Sequence, residues 1–371
     1  MQLHTLTSFL ATLAPLSLQE SYDNSGLLVG SPGMEIHKAL ICLDVTDEIM
    51  KEAIDTGCNL VIAHHPVIFG GLKRLNGANM TERIVMQAVK HDIALYAIHT
   101  NLDNVPHGVN LRICQTLGIK NPKILDPKKG ILRKLVTYCP DTVLDNGLPV
   151  VDAVREAIWA AGAGHIGNYD QCSFLTEGLG SYRPLEGSHP YLGSTGELAR
   201  EKEIRVEAVF PAHLQSKVIE ALKSVHPYEE VAYDIIALEN ELSTVGAGMI
   251  GELEAEMDEM AFLQHVKNVM QAGCVRYTAL LGKKVKRVAV CGGSGSFLLG
   301  QAIKQGADVF VTADFKYHQF FEADNKIVIA DIGHYESEQY TIGLIFDALI
   351  ENFPNFALLK SGVNTNPVNY I

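Results

Sequence analysis

The chain has 371 residues, 47% of them apolar and 20% charged, which is enough for two or three packed cores and excludes wholesale disorder. Thirty Lys and Arg stand against 43 Asp and Glu, a net charge of −13, the wrong sign for a protein that grips a phosphate backbone, so nucleic-acid binding is disfavoured. Seven scattered cysteines with no Cys-x-x-Cys pair exclude a disulfide framework and a thiolate zinc knot and fit a reducing cytoplasm; no run reaches the ~18 apolar residues of a membrane span, and Met1 to Glu20, without Lys or Arg and interrupted by Pro15, is a poor signal peptide.

From Lys38 onward, short apolar runs alternate with amphipathic stretches. Residues 39–43, 48–56, 60–63, 81–91 and 93–98 read as strand, helix, strand, helix, strand. A bridge rich in Pro, Lys and Gly at 122–130 reads as a boundary. Beyond it, 134–139, 151–161 and 169–176 read as strand, helix, strand, with Gly162 and Gly164 closing the helix. A polar stretch follows at 178–196, and then 204–210, 212–224 and 231–236 repeat strand, helix, strand, the order of a ferredoxin-like module. The first rhythm returns at 287–291, 297–305, 309–312 and 326–330, with a long amphipathic segment at 338–351. The expected fold is α/β, with two lobes at 1–127 and 241–371 interrupted by a ferredoxin-like α+β insert at 128–240.

Three apolar runs end in residues able to do chemistry. Ala63-His64-His65-Pro66 closes the run at 60–63, and imidazoles at a strand end can turn into the crevice where α/β folds hold ligands; the plainer reading is a pair of surface loop histidines. His99-Thr100-Asn101-Leu102-Asp103 closes 93–98, and Asp103 is either a ligand or the cap of the next helix. His334-Tyr335-Glu336-Ser337-Glu338 follows 326–330; in a helix, His334 and Glu338 share a face, unless the segment is a solvated first turn whose acids suit the helix dipole. Together His64, His65, Asp103, His334 and Glu338 form a nitrogen and oxygen set suited to Zn, Mn, Fe or Co. Five ligands exceed one catalytic zinc, and two divalent metal ions sharing a carboxylate account for the count better.

Two further features are weaker. Val290-Cys291-Gly292-Gly293-Ser294-Gly295-Ser296 is either a phosphate-facing turn or a plain tight turn. Asp314 and His318, i and i+4 after the run at 309–312, are compatible with a proton shuttle, a partner to a metal ligand, or an N-cap beside an exposed histidine.

These motifs, with Tyr22-Asp23-Asn24-Ser25-Gly26-Leu27 and Gly30, together resemble the NIF3-like family, whose members are often named homologues of type 2 GTP cyclohydrolase I. The resemblance covers about 1–125 and 240–371. His226-Pro227-Tyr228-Glu229-Glu230 is similar to the PII/CutA-like insert of the longer bacterial members. The resemblance implies a dinuclear metal site ligated by His64, His65, Asp103, His334 and Glu338, with Glu338 bridging, and a toroidal homohexamer whose metals face an internal cavity. It also places Asp314 and His318 in a further motif near the site. The function expected is that of a metal-dependent hydrolase acting on a small molecule, which the family naming makes a purine nucleotide, with Asp314 or His318 moving protons. The competing expectation is a non-enzymatic regulatory protein that binds metal or a small ligand.

Overall fold

Runs of Val, Ile, Leu and Ala with no polar residue suit only a strand covered on both faces. In the computed structural model, which describes residues 1–371, Leu60–Ala63 is such a strand. It lies at the centre of a five-stranded sheet ordered Gly26–Val29, Ala94–Ala97, Leu60–Ala63, Lys38–Cys42, Ala357–Lys360. The last four run in parallel and Gly26–Val29 is an antiparallel edge. The crossover helices have the caps their sequences prescribe. Thr46 accepts from Ile49 N and Gly57 closes Asp47–Thr56 in the left-handed region; Asn79 accepts from Glu82 N ahead of Met80–Lys90. Ile49, Met50 and Ala53 from the first helix and Ile84 and Ala88 from the second are buried in one core, at about 1.5–3 kcal/mol for each large side chain.

A second sheet is ordered Arg276–Tyr277, Val328–Asp331, Val309–Ala313, Lys284–Ser294, Glu241–Asp258, Lys120–Lys129. Val328–Asp331, Val309–Ala313 and Lys284–Ser294 are parallel, and Arg276–Tyr277 and Glu241–Asp258 pair antiparallel to their neighbours. Each sheet therefore borrows a strand from the other half of the chain: Ala357–Lys360 completes the first and Lys120–Lys129 the second. Met1–Pro127 and Thr244–Ile371 accordingly form one compact unit, and Lys128–Ser243 forms the other.

Lys128–Ser243 carries the strands Leu132–Pro140, Phe174–Tyr182, Ala199–Pro211 and Tyr233–Leu238 and the helices Val150–Ala160 and Gln215–Val225. The strands are ordered Phe174–Tyr182, Ala199–Pro211, Leu132–Pro140, Tyr233–Leu238, every pair antiparallel. This is the ferredoxin-like order, built around Leu135, Val154, Ile158, Val206, Phe210 and Leu222. The fold is thus mixed α/β with a ferredoxin-like segment.

Several elements differ from expectation. The bridge at 122–130 lies mostly within the strand Lys120–Lys129; Pro122 and Pro127 are tolerated because that strand is a sheet edge. The strand expected at 169–176 is Phe174–Tyr182, extending into the polar stretch; as an exposed edge it lacks the apolar alternation that marks a half-buried strand. The segment at 338–351 is two helices, His334–Glu338 and Thr341–Asn352. The N-terminal helix Leu3–Leu13, which buries Leu3, Leu6 and Leu10, was not among the elements expected. No helix is long and apolar enough to cross a membrane, and all seven cysteines are unpaired.

Candidate metal centre

The parallel strands deliver their polar residues at their C-terminal ends. His64 N and His65 N donate to Cys42 O (3.3 Å) and Leu43 O (2.9 Å), so the ladder runs two residues past Leu60–Ala63 and fixes where both rings leave the backbone. Ile98 N donates to Ala63 O (2.9 Å) and sets the position of His99 in the same way. In the second sheet, Val328–Asp331 leads through Gly333 into the helix His334–Glu338, whose single turn brings His334 Nε2 to 3.1 Å from Glu338 Oε2.

Four imidazoles have one nitrogen committed to a fixed acceptor. His64 Nδ1 donates to Ile98 O (2.8 Å), His65 Nδ1 to Asp44 Oδ1 (2.7 Å), His99 Nδ1 to Asp23 Oδ1 (2.8 Å) and His334 Nδ1 to Asp314 Oδ2 (2.6 Å). Such partners anchor Nδ1 and turn Nε2 inward, where it becomes a free lone pair once any second proton has left. The Nε2 atoms converge: His65 Nε2 lies 2.9 Å from Glu338 Oε2 and 3.3 Å from His334 Nε2, and His64 Nε2 lies 3.8 Å from both Asp103 Oδ1 and Glu338 Oε2. His64 Nε2 and Asp103 Oδ1 are buried with no hydrogen-bond partner. Buried acceptors without donors are costly, and a cation is the group that satisfies all of them together. The donor set fits a metal: His64, His65 and His99, then His65, His334 and Glu338, then His64, Asp103 and Glu338 form overlapping triads with ligand atoms within 4.8 Å of one another.

The electrostatics follow from this crowding. Burial pulls His64 down to about 4, keeping it neutral. Burial also opposes the charge on His65, but Asp44 and Glu338 outweigh it and hold the ring up at about 9. The same balance of burial against Glu338 and Asp314 raises His334 to about 11. Of the two central carboxylates, Asp103 is pushed well up by burial and the nearby Glu338 charge, whereas Glu338 stays low because its imidazole neighbours overcome its burial. Asp23 is also low despite its burial, since His99 and Thr100 donate to it.

The structure thus brings His64, His65, Asp103, His334 and Glu338 to one point. Asp103 does not cap the next helix, whose N-cap is Gly108. Sequence reasoning missed His99 as a converging ring, although it stood inside a quoted motif, and missed Asp23 and Asp44 as the groups that orient His99 and His65. Asp314 holds His334 Nδ1 and so positions that ring, its backbone at φ 59°. His318 is exposed, packed against Tyr317 and Phe321, and does not line the cavity around the cluster. The glycine-rich turn also has a local use: Gly292 N donates to Asn110 Oδ1 (3.0 Å) and Gly293 N to Ser337 Oγ (2.9 Å). A Cβ on Gly293, at φ 59°, would collide with the Glu338 carboxylate, so the glycine makes room for a converging ligand. In the other unit, His226 has both ring nitrogens occupied by backbone, Tyr138 O (3.0 Å) and Tyr228 N (3.2 Å), a structural role.

The chain is 37% identical over 363 residues to a Halalkalibacterium halodurans protein named GTP cyclohydrolase 1 type 2 homolog, covering 96% of each chain. It is 39% identical over 315 residues to a Bacillus subtilis protein of the same name, covering 84% of this chain and 83% of that one. Among solved structures, a Bacillus cereus protein described as related to NIF3 superposes with a TM-score of 0.85 at 37% identity, covering 100% of this chain and 99% of that one. The family described as Duf34/NIF3 (NGG1p interacting factor 3) matches residues 1–367. The chain belongs to the Duf34/NIF3 family.

Proposed function

We propose that the cluster holds two divalent cations, of Zn, Mn or Fe, and that the protein is a metal-dependent hydrolase of a small substrate. The relatives' name makes a purine nucleotide the first substrate class to test. The observation that carries the reading is the set of four imidazoles whose Nδ1 atoms are committed outward, leaving Nε2 atoms to meet Asp103 and Glu338. His64, His65, His99, Asp103, His334 and Glu338 exceed the three protein ligands usual for one catalytic zinc. His64, His65 and Glu338 each belong to two of the three triads, and of these only Glu338, with two carboxylate oxygens, would be able to serve both cations.

Two such cations, when bound, supply Lewis acidity and a nucleophile at neutral pH. The chain's own part is to hold and orient them. Asp44, Asp23, Asp314 and Ile98 O fix the tautomers and ring planes, and Asp103 and Glu338 balance the charge. Asp314 therefore positions His334. A homohexameric ring, supported by the family resemblance, belongs to the same proposal, and light scattering that gives a monomer mass across a concentration series would overturn that part. The unpaired cysteines support a reducing compartment such as the cytoplasm. The test is turnover of a nucleotide panel by metal-reconstituted protein. Activity abolished by His64→Ala supports the hydrolase; metal uptake without turnover on any substrate moves the reading to a non-enzymatic metal- or ligand-binding regulator.

A further inference from the structure

The cavity containing the cluster has a volume of about 1010 Å³, and its wall is acidic. Besides Asp44, Asp103, Asp314 and Glu338 it is lined by Glu20, Asp331 and Glu336, with no lysine and with Arg276 as its one guanidinium. Arg276 is already engaged: it donates to the Asp331 carboxylate and to Phe315 O, and it lies over the Phe320 ring. The N–H groups of Gly292 and Gly293 in the glycine-rich turn donate to Asn110 and Ser337 and are not free to cradle a phosphate. Two bound dications and Arg276 would still leave the carboxylates of Asp44, Asp103, Asp314, Asp331, Glu336 and Glu338 in excess, so a polyphosphate enters against the local field as well as against the net charge of −13. The same wall offers rings. Tyr22, Phe69 and Phe297 line it and are exposed, and the Phe69 ring lies 5.9 Å from that of His99, beside the converging ligands. Exposed rings of this kind stack on planar heterocycles.

We infer that the substrate is a planar, ring-bearing molecule with at most one phosphate group. This rests on the hydrolase reading of the same site and names its substrate class. The test is isothermal titration of the full-length, metal-loaded protein with guanosine, GMP and magnesium-saturated GTP at about 0.15 M salt, where long-range attraction is screened. Guanosine and GMP are expected to bind at least tenfold more tightly than GTP. Phe69→Ala should weaken all three, and Glu336→Gln should narrow the gap between GMP and GTP. GTP binding as tightly as GMP, no binding by any of the three, or undiminished guanosine binding by Phe69→Ala overturns the inference. Turnover is scored separately: the expected binding order without hydrolysis of any substrate sinks the hydrolase reading and leaves the ligand class standing.

Discussion

Replacing Asp44 by Asn separates the two things this carboxylate does to His65. Asp44 fixes the ring through Nδ1 at 2.7 Å, and with Glu338 it holds the ring protonated up to about pH 9 in the metal-free protein. At pH 7 a metal must therefore displace a proton from a group two units above the ambient pH. That costs about 3 kcal/mol, or roughly a hundredfold in apparent affinity relative to alkaline pH. His334, raised to about 11, adds to the release, so calorimetry in buffers of differing ionisation enthalpy should record about two protons expelled at pH 7. Asn can still accept from Nδ1 but carries no charge. Intrinsic affinity should fall about 10- to 100-fold with the weaker support, while the His65 pKa moves part-way back toward about 6.5. The deficit should therefore open fully above pH 9 and largely close by pH 7, with fewer protons released there. A deficit that is the same at every pH, or a wild-type titration that releases no protons, would refute the reasoning. In the metal-free protein the raised pKa is itself a stabilisation, fully present below about pH 6.5 and lost as pH rises through about 9, so thermal melts of apo Asp44→Asn should show the smaller alkaline loss.

Glu338→Ala should lower bound metal far more than Glu336→Ala, because only Glu338 stands within reach of His65 and His334; elemental analysis showing full loading of Glu338→Ala would refute its bridging role. Gly293→Ala adds a Cβ against the Glu338 carboxylate at a positive φ, so circular dichroism should report a folded protein, destabilised by about 1–3 kcal/mol, whose metal content is reduced; unchanged content would show that the turn does not constrain Glu338. A chain in which a short flexible linker replaces Lys128–Ser243 should fold and bind metal like the parent, since that unit has its own core and none of the converging ligands; a folded but metal-free product would show that the segment supports the site.

The strand-end residues were legible because each follows a short run too apolar to be anything but an interior strand, and the break to His64, His99 or His334 marks where the chain leaves the sheet. The pairing of His334 with Glu338 was legible from helical spacing alone. Their orienting partners were not: Asp23 lies 76 residues from His99 and Asp44 lies 21 from His65, and no periodicity connects such pairs. Spacing could not decide between the readings open to His318, since the segment Tyr317–Ala323 is a 3-10 helix with a different angular period, and the side chain is exposed, as the plainest of those readings had it. The strand exchange was hidden because Lys120–Lys129 is an edge with two prolines and Ala357–Lys360 is four residues long.

That exchange bears on the order of events during synthesis. The first sheet closes only when Ala357–Lys360 lies beside Lys38–Cys42, and Glu338 meets His65 across 273 positions. A ribosome that has made the first third of the chain has released His64, His65, His99 and Asp103 without the helix that completes their charge balance. Contacts this remote in sequence form late, so a nascent chain exposes His64, His65, His99 and Asp103 before His334 and Glu338 exist. If the cluster holds metal as proposed, loading would be a step for the finished polypeptide, and truncated translation products, lacking His334 and Glu338, would hold metal poorly.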